Sequence, residues 1–451
     1  MKTWVGVAIC SIGVFAVACS TGPHPASQQP PSRANLPAPP LPAPTGFNNA
    51  SNGFTDAPTY QADQAKFDEV EQIGDGLGPL YNAQSCRECH QNPSSGGNSQ
   101  VMEVRVGHND RQGRFVFPEI PINGGSEVIK GRTLVNQRAI CPSGAFPETN
   151  IQERVPQSEN IRTFRVSLSL LGAGFVEAVA DSTLIAIADR QCRSDRRICG
   201  VALRVPVLES PGMTRVGRFG WKDQQASLLS FSGDAYLNEM GITNSLFPDE
   251  VTTLCNTVSE PNDKAGADGL SDIDHFTRFM RATKPPTRDA RLSATAAAQR
   301  GEALFAKIGC SVCHVPTLTT ARAGTAVNGA KFIVPDALGN KTFHPYSDYL
   351  LHDIGTGDGV AIAMVEHYGR HVYETRWQDM PLDPTQLSAN RMRTAPLWGV
   401  RMRSMLMHDG ASLTFRDAIT RHRGEASDVT KRFEGSSKQE QEAILAFLGS
   451  L

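Results

Sequence analysis

The string Cys-x-x-Cys-His occurs twice, as Cys86-Arg87-Glu88-Cys89-His90 and as Cys310-Ser311-Val312-Cys313-His314. Two thiols at this spacing with an adjacent imidazole can bond the vinyl groups of a porphyrin and seat its iron, so each string reads as covalent c-type haem attachment. With 10 Cys and 11 His in 451 residues, chance supplies roughly 0.005 such strings. Structural zinc is the competing reading, and it requires two pairs converging on one metal. Here each pair has its own following His, and the copies lie more than 200 residues apart.

A chain of 451 residues exceeds what one core usually accommodates, so two domains are expected. Hydrophobic residues make up 40% and charged residues 20%, with a formal charge of −2. That balance, with no basic tract and no phosphate-cradling Gly loop, argues against nucleic acid as a partner.

Residues 1–18 read as a signal peptide: Lys2, an apolar run from Trp4 to Ala18, and small residues at Ala16 and Ala18. Cys19 follows as in a lipobox, although Ala16 stands where Leu is usual. Two outcomes stay open, lipidation of Cys19 with anchorage to a membrane, or plain cleavage before it. Either places the protein in the periplasm or cell envelope, an oxidising address. Once Cys10, Cys19 and the four string thiols are set aside, Cys141, Cys192, Cys199 and Cys255 remain for two disulfides. Cys192 and Cys199 are close enough to pair, which would leave Cys141 with Cys255, but three connectivities are possible.

Residues 19–47 are rich in Pro, Ser, Ala and Gln and form a tether. An N-terminal haem c domain with insertions is expected over 48–286, and a C-terminal cytochrome c domain over 287–451. Apolar spacing predicts helices over Ala62–Ile73, Phe164–Val179, Leu184–Cys192, Asp272–Thr283, Ala294–Ile308 with Ser293 as cap, Phe415–Thr420 and Lys438–Leu448. Val101–Val106 and Arg114–Phe117 look like strands, whereas Gly217–Phe247 shows too weak a period to assign. The expected fold is therefore mainly α, two cytochrome c-like haem domains with irregular loops and a few short strands.

Several strings together resemble the bacterial di-haem oxidoreductase family, also called thiol oxidoreductases and related to di-haem cytochrome c peroxidases. They are Ser85 to His90, Gly172 to Ala178, Phe219 to Lys222, Asn238 to Thr243, Tyr346 to His352, Arg393 to Gly399, His408 to Gly410 and His422 to Ala426. The resemblance covers nearly everything after the tether. It implies two covalently bound haems c in facing domains, and calcium between domains as in related peroxidases, with no ligands assignable here. It also implies a small electron-donor cytochrome or cupredoxin and a peroxide or other small-molecule substrate.

His90 and His314 are the expected proximal iron ligands, and a backbone carbonyl near Pro316 is expected to take the His314 ring N–H. His422 sits where relatives carry Met and is the candidate sixth ligand of the second haem; a surface His or a propionate partner are the alternatives. His408 is expected as a hydrogen-bonding neighbour of that haem. His108 is a candidate for the first iron, against a plain turn His, and His352 is a rival ligand for either. Glu177 is the candidate catalytic proton carrier, because burial would raise its pKa; a surface helix Glu is the alternative. Arg165, Arg393 and Arg401 are candidate propionate partners, and Trp221 and Trp398 either carry electrons or fill core. The expected activity is reduction of peroxide or a related oxidant with electrons relayed between two haems. An electron-transfer cytochrome without a substrate site and a haem-dependent oxygenase are the rival readings.

Overall fold

The computed structural model describes Met1, residues 39–362 and residues 384–451. The signal segment after Met1, Cys19 and the tether as far as residue 38 lie outside the described residues. Pro40–Leu451 form one compact unit. No helix among the described residues is long and apolar enough to cross a membrane.

The expectation of a mainly α fold is overturned, since about 30% of the chain is helical and 15% is strand. The strands concentrate between the first haem string and residue 216, where β-branched residues recur among polar ones and the runs are short. Met102–Asn109 pairs antiparallel with Ile161–Val166, from Met102 opposite Val166 to Gly107 opposite Ile161. Phe115–Val116 and Leu134–Val135 complete a four-stranded sheet, and several two-stranded ribbons surround it. Phe164–Val179 is accordingly not one helix. It is a strand end, an irregular turn and the short helix Ala173–Glu177.

Three helices wrap the first haem string. Ala57–Asp68 begins where the Asp56 carboxylate accepts the Thr59 N–H at 2.9 Å, five residues before its expected start. Leu228–Met240 lies inside the unassigned region, and Asp272–Ala282 ends one residue short of its expected limit. Asp63, fully buried on the first helix, takes Arg278 at 2.6 and 2.7 Å and His275 at 2.8 Å, which locks the first helix to the last. Tyr60, Phe67, Tyr236, Phe276 and Phe279 fill the space between them.

A second core surrounds the other string. Ala296–Ile308, capped by Thr295 instead of Ser293, packs on Lys438–Leu448 through Leu304, Phe305, Ile444 and Phe447. The helices approach so closely at Gly301 that a Cβ there would lie 1.9 Å from the Ala443 carbonyl oxygen. Cys141–Cys255 and Cys192–Cys199 are the disulfides, and Cys86, Cys89, Cys310 and Cys313 are the free thiols.

Candidate functional site

At the first string, Ser85 caps the turn Cys86–Cys89 by accepting the Arg87 N–H at 3.2 Å. His90 Nδ1 faces the Gly97 carbonyl at 3.3 Å, which leaves Nε2 as the ligand atom. Burial pushes the ring's pKa down to about 4, so the imidazole is neutral near pH 7, the form that can ligate a metal. Cys89 and His90 open on a cavity of about 420 Å³, walled by Leu168, Leu171, Val176, Phe219, Phe231 and Leu237.

This cavity fits a porphyrin by what it leaves unsatisfied. Arg165 Nη2, Tyr349 Oη and Trp398 Nε1 are buried without a hydrogen-bond partner among the described residues, and all three residues line it. Buried donors without acceptors are costly, and propionate oxygens supply acceptors for them. Arg165 is aimed by its Nε on Asp358 at 2.7 Å, and Arg393, also on the wall, by its Nε on the Gly220 carbonyl at 2.7 Å. Arg401 instead donates to the Leu451 carbonyl and stacks over Phe47, away from the cavity wall. Trp221 lines the cavity, its Nε1 donating to the Val166 carbonyl at 2.8 Å, and His408 packs edge-on against it at 6.1 Å.

Two carboxyl groups, Glu103 and Glu239, lie on this wall. Glu103 is gripped by Arg105 at 2.9 Å through both nitrogens, and Glu239 accepts from Asn82 at 2.9 Å. Burial, then the charge of Glu103, raises the Glu239 pKa well above the carboxylate range. Burial opposes the charge of Glu103 too, but Arg105 outweighs it and holds that group ionised. Of the two, Glu239 is the one whose environment favours the protonated form and Glu103 the one whose environment favours the ionised form. Glu239 stood in the string Asn238 to Thr243 with no role assigned; its signal was a lone carboxylate between the apolar Leu237 and Met240.

Glu177 departs from its expected state. It is fully buried, and burial alone would raise its pKa, but Arg281 at 2.6 and 3.0 Å, the Leu228 N–H at 2.9 Å and Asn328 at 2.9 Å bring it below the usual range. Its neighbour Val176 is on the cavity wall, whereas Glu177 is not among the lining residues. His108 lies on the strand Met102–Asn109 and pairs with Glu159 at 2.9 Å.

At the second string Gly309, with φ +103°, turns the helix Ala296–Ile308 into Cys310–Val312. His314 Nδ1 donates to the Tyr346 carbonyl at 3.0 Å, so the anchoring oxygen comes from Tyr346 and not from the neighbourhood of Pro316. Tyr346 has φ +51°, and the backbone bend there is what presents that carbonyl. Burial first, then the nearby His422, lowers the His314 pKa to about 4. His422 Nδ1 faces the Ala418 carbonyl at 2.8 Å, which makes it a donor and leaves Nε2 with its lone pair.

Both ring nitrogens of His352 face carboxylates. Asp348 lies 2.9 Å from its Nε2 and Glu425 2.8 Å from its Nδ1; burial lowers the ring's pKa, but Asp348 and then Cys313 outweigh it and raise it well above the usual value. Cys313, Asp348 and His352 form the one cluster of three metal-binding side chains found among the described residues. Sulfur, oxygen and nitrogen together do not fit calcium, which takes oxygen ligands.

Residues 136–451 match the family "Di-haem oxidoreductase, putative peroxidase", and the chain belongs to that family. It is thus a haem-based redox protein. The match includes Cys310 to His314 and begins beyond Cys86 to His90. No curated protein matches. Similar solved structures include hydrazine synthase of Kuenenia stuttgartiensis pressurised with xenon, at 15% identity over 97% of this chain and 100% of that one, with a TM-score of 0.39. A MauG-like protein associated with microbial copper homeostasis is 14% identical over 93% of this chain and 95% of that one, with a TM-score of 0.37.

Proposed function

We propose that the protein is an exported di-haem c-type oxidoreductase that reduces peroxide at the first haem and takes electrons in through the second. Cys86, Cys89 and His90 would hold one haem, and Cys310, Cys313, His314 and His422 the other. When bound, haem supplies the one-electron couple and the open iron position that peroxide chemistry requires. The observation that carries the reading is an asymmetry. The first site has two buried carboxyl groups, Glu103 and Glu239, on its cavity wall, where burial and the charge of Glu103 raise the pKa of Glu239, and the second has a second imidazole with a free lone pair.

The chain's own residues then divide the work. Glu239 holds the proton that the leaving oxygen needs, and Glu103, kept ionised by Arg105, keeps that proton from being shared out to solvent. Arg165, Arg393 and the Trp398 N–H orient the first haem through its carboxylates. Trp398 lines the first cavity while its backbone N–H bonds the carbonyl of Pro345, next to the residue that anchors His314, so it bridges the two sites. Glu177, braced by Arg281, positions the helix Ala173–Glu177 against the cavity. Export through residues 1–18, anchorage at Cys19, and a small cytochrome or cupredoxin as donor complete the proposal.

The test is an optical titration of the purified mature protein with hydrogen peroxide. One high-spin haem that changes on addition, together with haem-peptide masses at both strings, is the expected result. Two low-spin haems inert to peroxide would leave an electron-transfer cytochrome. Oxygen uptake that depends on an added organic compound would point to an oxygenase.

A further inference from the structure

Tyr236 is a buried phenol that the chemistry above does not use. It is 2% exposed on the helix Leu228–Met240, and its hydroxyl lies 3.0 Å from Glu71 Oε1 and 3.2 Å from Asp272 Oδ2. A phenol has one proton, and here that proton has a carboxylate acceptor on either side, so it can leave the ring without any side chain moving. Most buried tyrosines meet a neutral carbonyl or a single partner, which satisfies the hydroxyl without offering it a base.

The ring is also joined to the first haem site by packing. Phe276 stands edge-on to it at 5.1 Å, Phe67 meets Phe276 at 6.2 Å, and Phe67 meets the His90 ring at 6.4 Å. Cys86 packs against the same apolar cluster. On its other side Tyr236 borders a second cavity, of about 480 Å³, together with Lys66, Asp263, Asp272 and His275. The phenol thus stands between a haem site and a pocket of its own.

We infer that Tyr236 is a one-electron relay that carries oxidising equivalents from the first haem to this second cavity. The inference rests on the peroxide reading above. Reduction of hydrogen peroxide to two waters takes two electrons and two protons, and Tyr236 supplies one of those electrons. Its O–H bond breaks as the electron leaves, the proton forms an O–H bond on Glu71, and a neutral tyrosyl radical remains. A small one-electron reductant, such as a phenol or ascorbate, restores the electron at the second cavity, and Glu71 returns the proton. The Glu71 pKa, raised by burial to about 7, suits a group that takes up and releases a proton near neutrality.

The experiment uses the di-haem protein with two triggers, hydrogen peroxide and flash photo-oxidation by a ruthenium polypyridyl, each followed by freeze-quenched electron paramagnetic resonance. The expected result is a tyrosyl signal, altered in shape by ring-deuterated tyrosine and reduced to background in Tyr236→Phe. Glu71→Gln keeps the ring and should lower the radical yield. Haem content of each variant, measured as the pyridine complex, separates loss of the relay from loss of folding. A Tyr236-dependent signal from the flash alone supports the relay while sinking the peroxide reading. If haem spectra respond to peroxide and neither trigger gives a Tyr236-dependent signal, the relay is overturned.

Discussion

Replacing Glu177 by Gln removes one charge and no volume, and the structure sets how much that should cost. The carboxylate is fully buried, and Arg281, whose side chain is 14% exposed, bonds both of its oxygens. Gln offers one acceptor and a donor pair, so Arg281 loses its counter-charge and the Gln amide points N–H groups at a guanidinium or at the Leu228 N–H. Breaking a buried pair from one side costs about 3–5 kcal/mol. The assay is urea unfolding of the disulfide-intact di-haem protein, wild type against Glu177→Gln, over a range of pH. The folded carboxyl has a pKa below its ordinary 4.5, so the wild-type advantage is full above 4.5 and disappears as pH falls through the lower folded value. Turnover per folded, haem-loaded molecule should stay within a fewfold of wild type. A variant that unfolds at the wild-type urea concentration but has lost turnover would refute the brace and restore Glu177 as a proton carrier.

Glu239→Gln should lower peroxide turnover by about 10²–10⁴-fold with both haems retained, since a positioned general acid contributes that much. In the wild type, turnover should fall as pH rises through the raised Glu239 pKa, because the acid form is lost; stopped-flow rates across pH test both statements. His422→Met should raise the midpoint potential of one haem and leave the other unchanged, measured by spectroelectrochemistry, because a thioether favours ferric iron less than an imidazole does. Lys222→Met should destabilise the fold by about 3–5 kcal/mol in the same urea assay, since it takes one of the two cations from buried Asp358, leaving Arg165 as the other, and frees three carbonyls that Lys222 now bonds at 2.9 Å.

Local sequence carried the helices whose ends are marked. Lys438–Leu448 starts on a Ser437 and Glu440 capping box, and it runs over the range its apolar spacing predicts. Leu228–Met240 escaped because it is buried on more than one face, so its apolar residues show no stripe to read. The strands were undercounted for a related reason. Two-residue strands such as Leu318–Thr319 have too few residues for alternation to register, and only their partners define them. At the sites, spacing alone marked both Cys-x-x-Cys-His strings, because their residues are neighbours in the chain. The Glu103 and Glu239 pair was invisible, since 136 residues separate its members and the proton they hold depends on Arg105 beside one of them. The same limit explains Glu177, whose burial was foreseen and whose partner Arg281, from a distant helix, was not.

Leu41 and Pro42 have a role out of proportion to their number. Leu41 and Pro42 run parallel to Lys341 and Thr342, and Leu318–Thr319 lies along the other side of that strand. Trimming the chain to begin after Ala43 would strip one flank from Lys341–Phe343 and leave its amide groups open to another molecule's backbone. Recombinant versions that lack the N-terminal segment should therefore begin at or before residue 39, and shorter ones should self-associate.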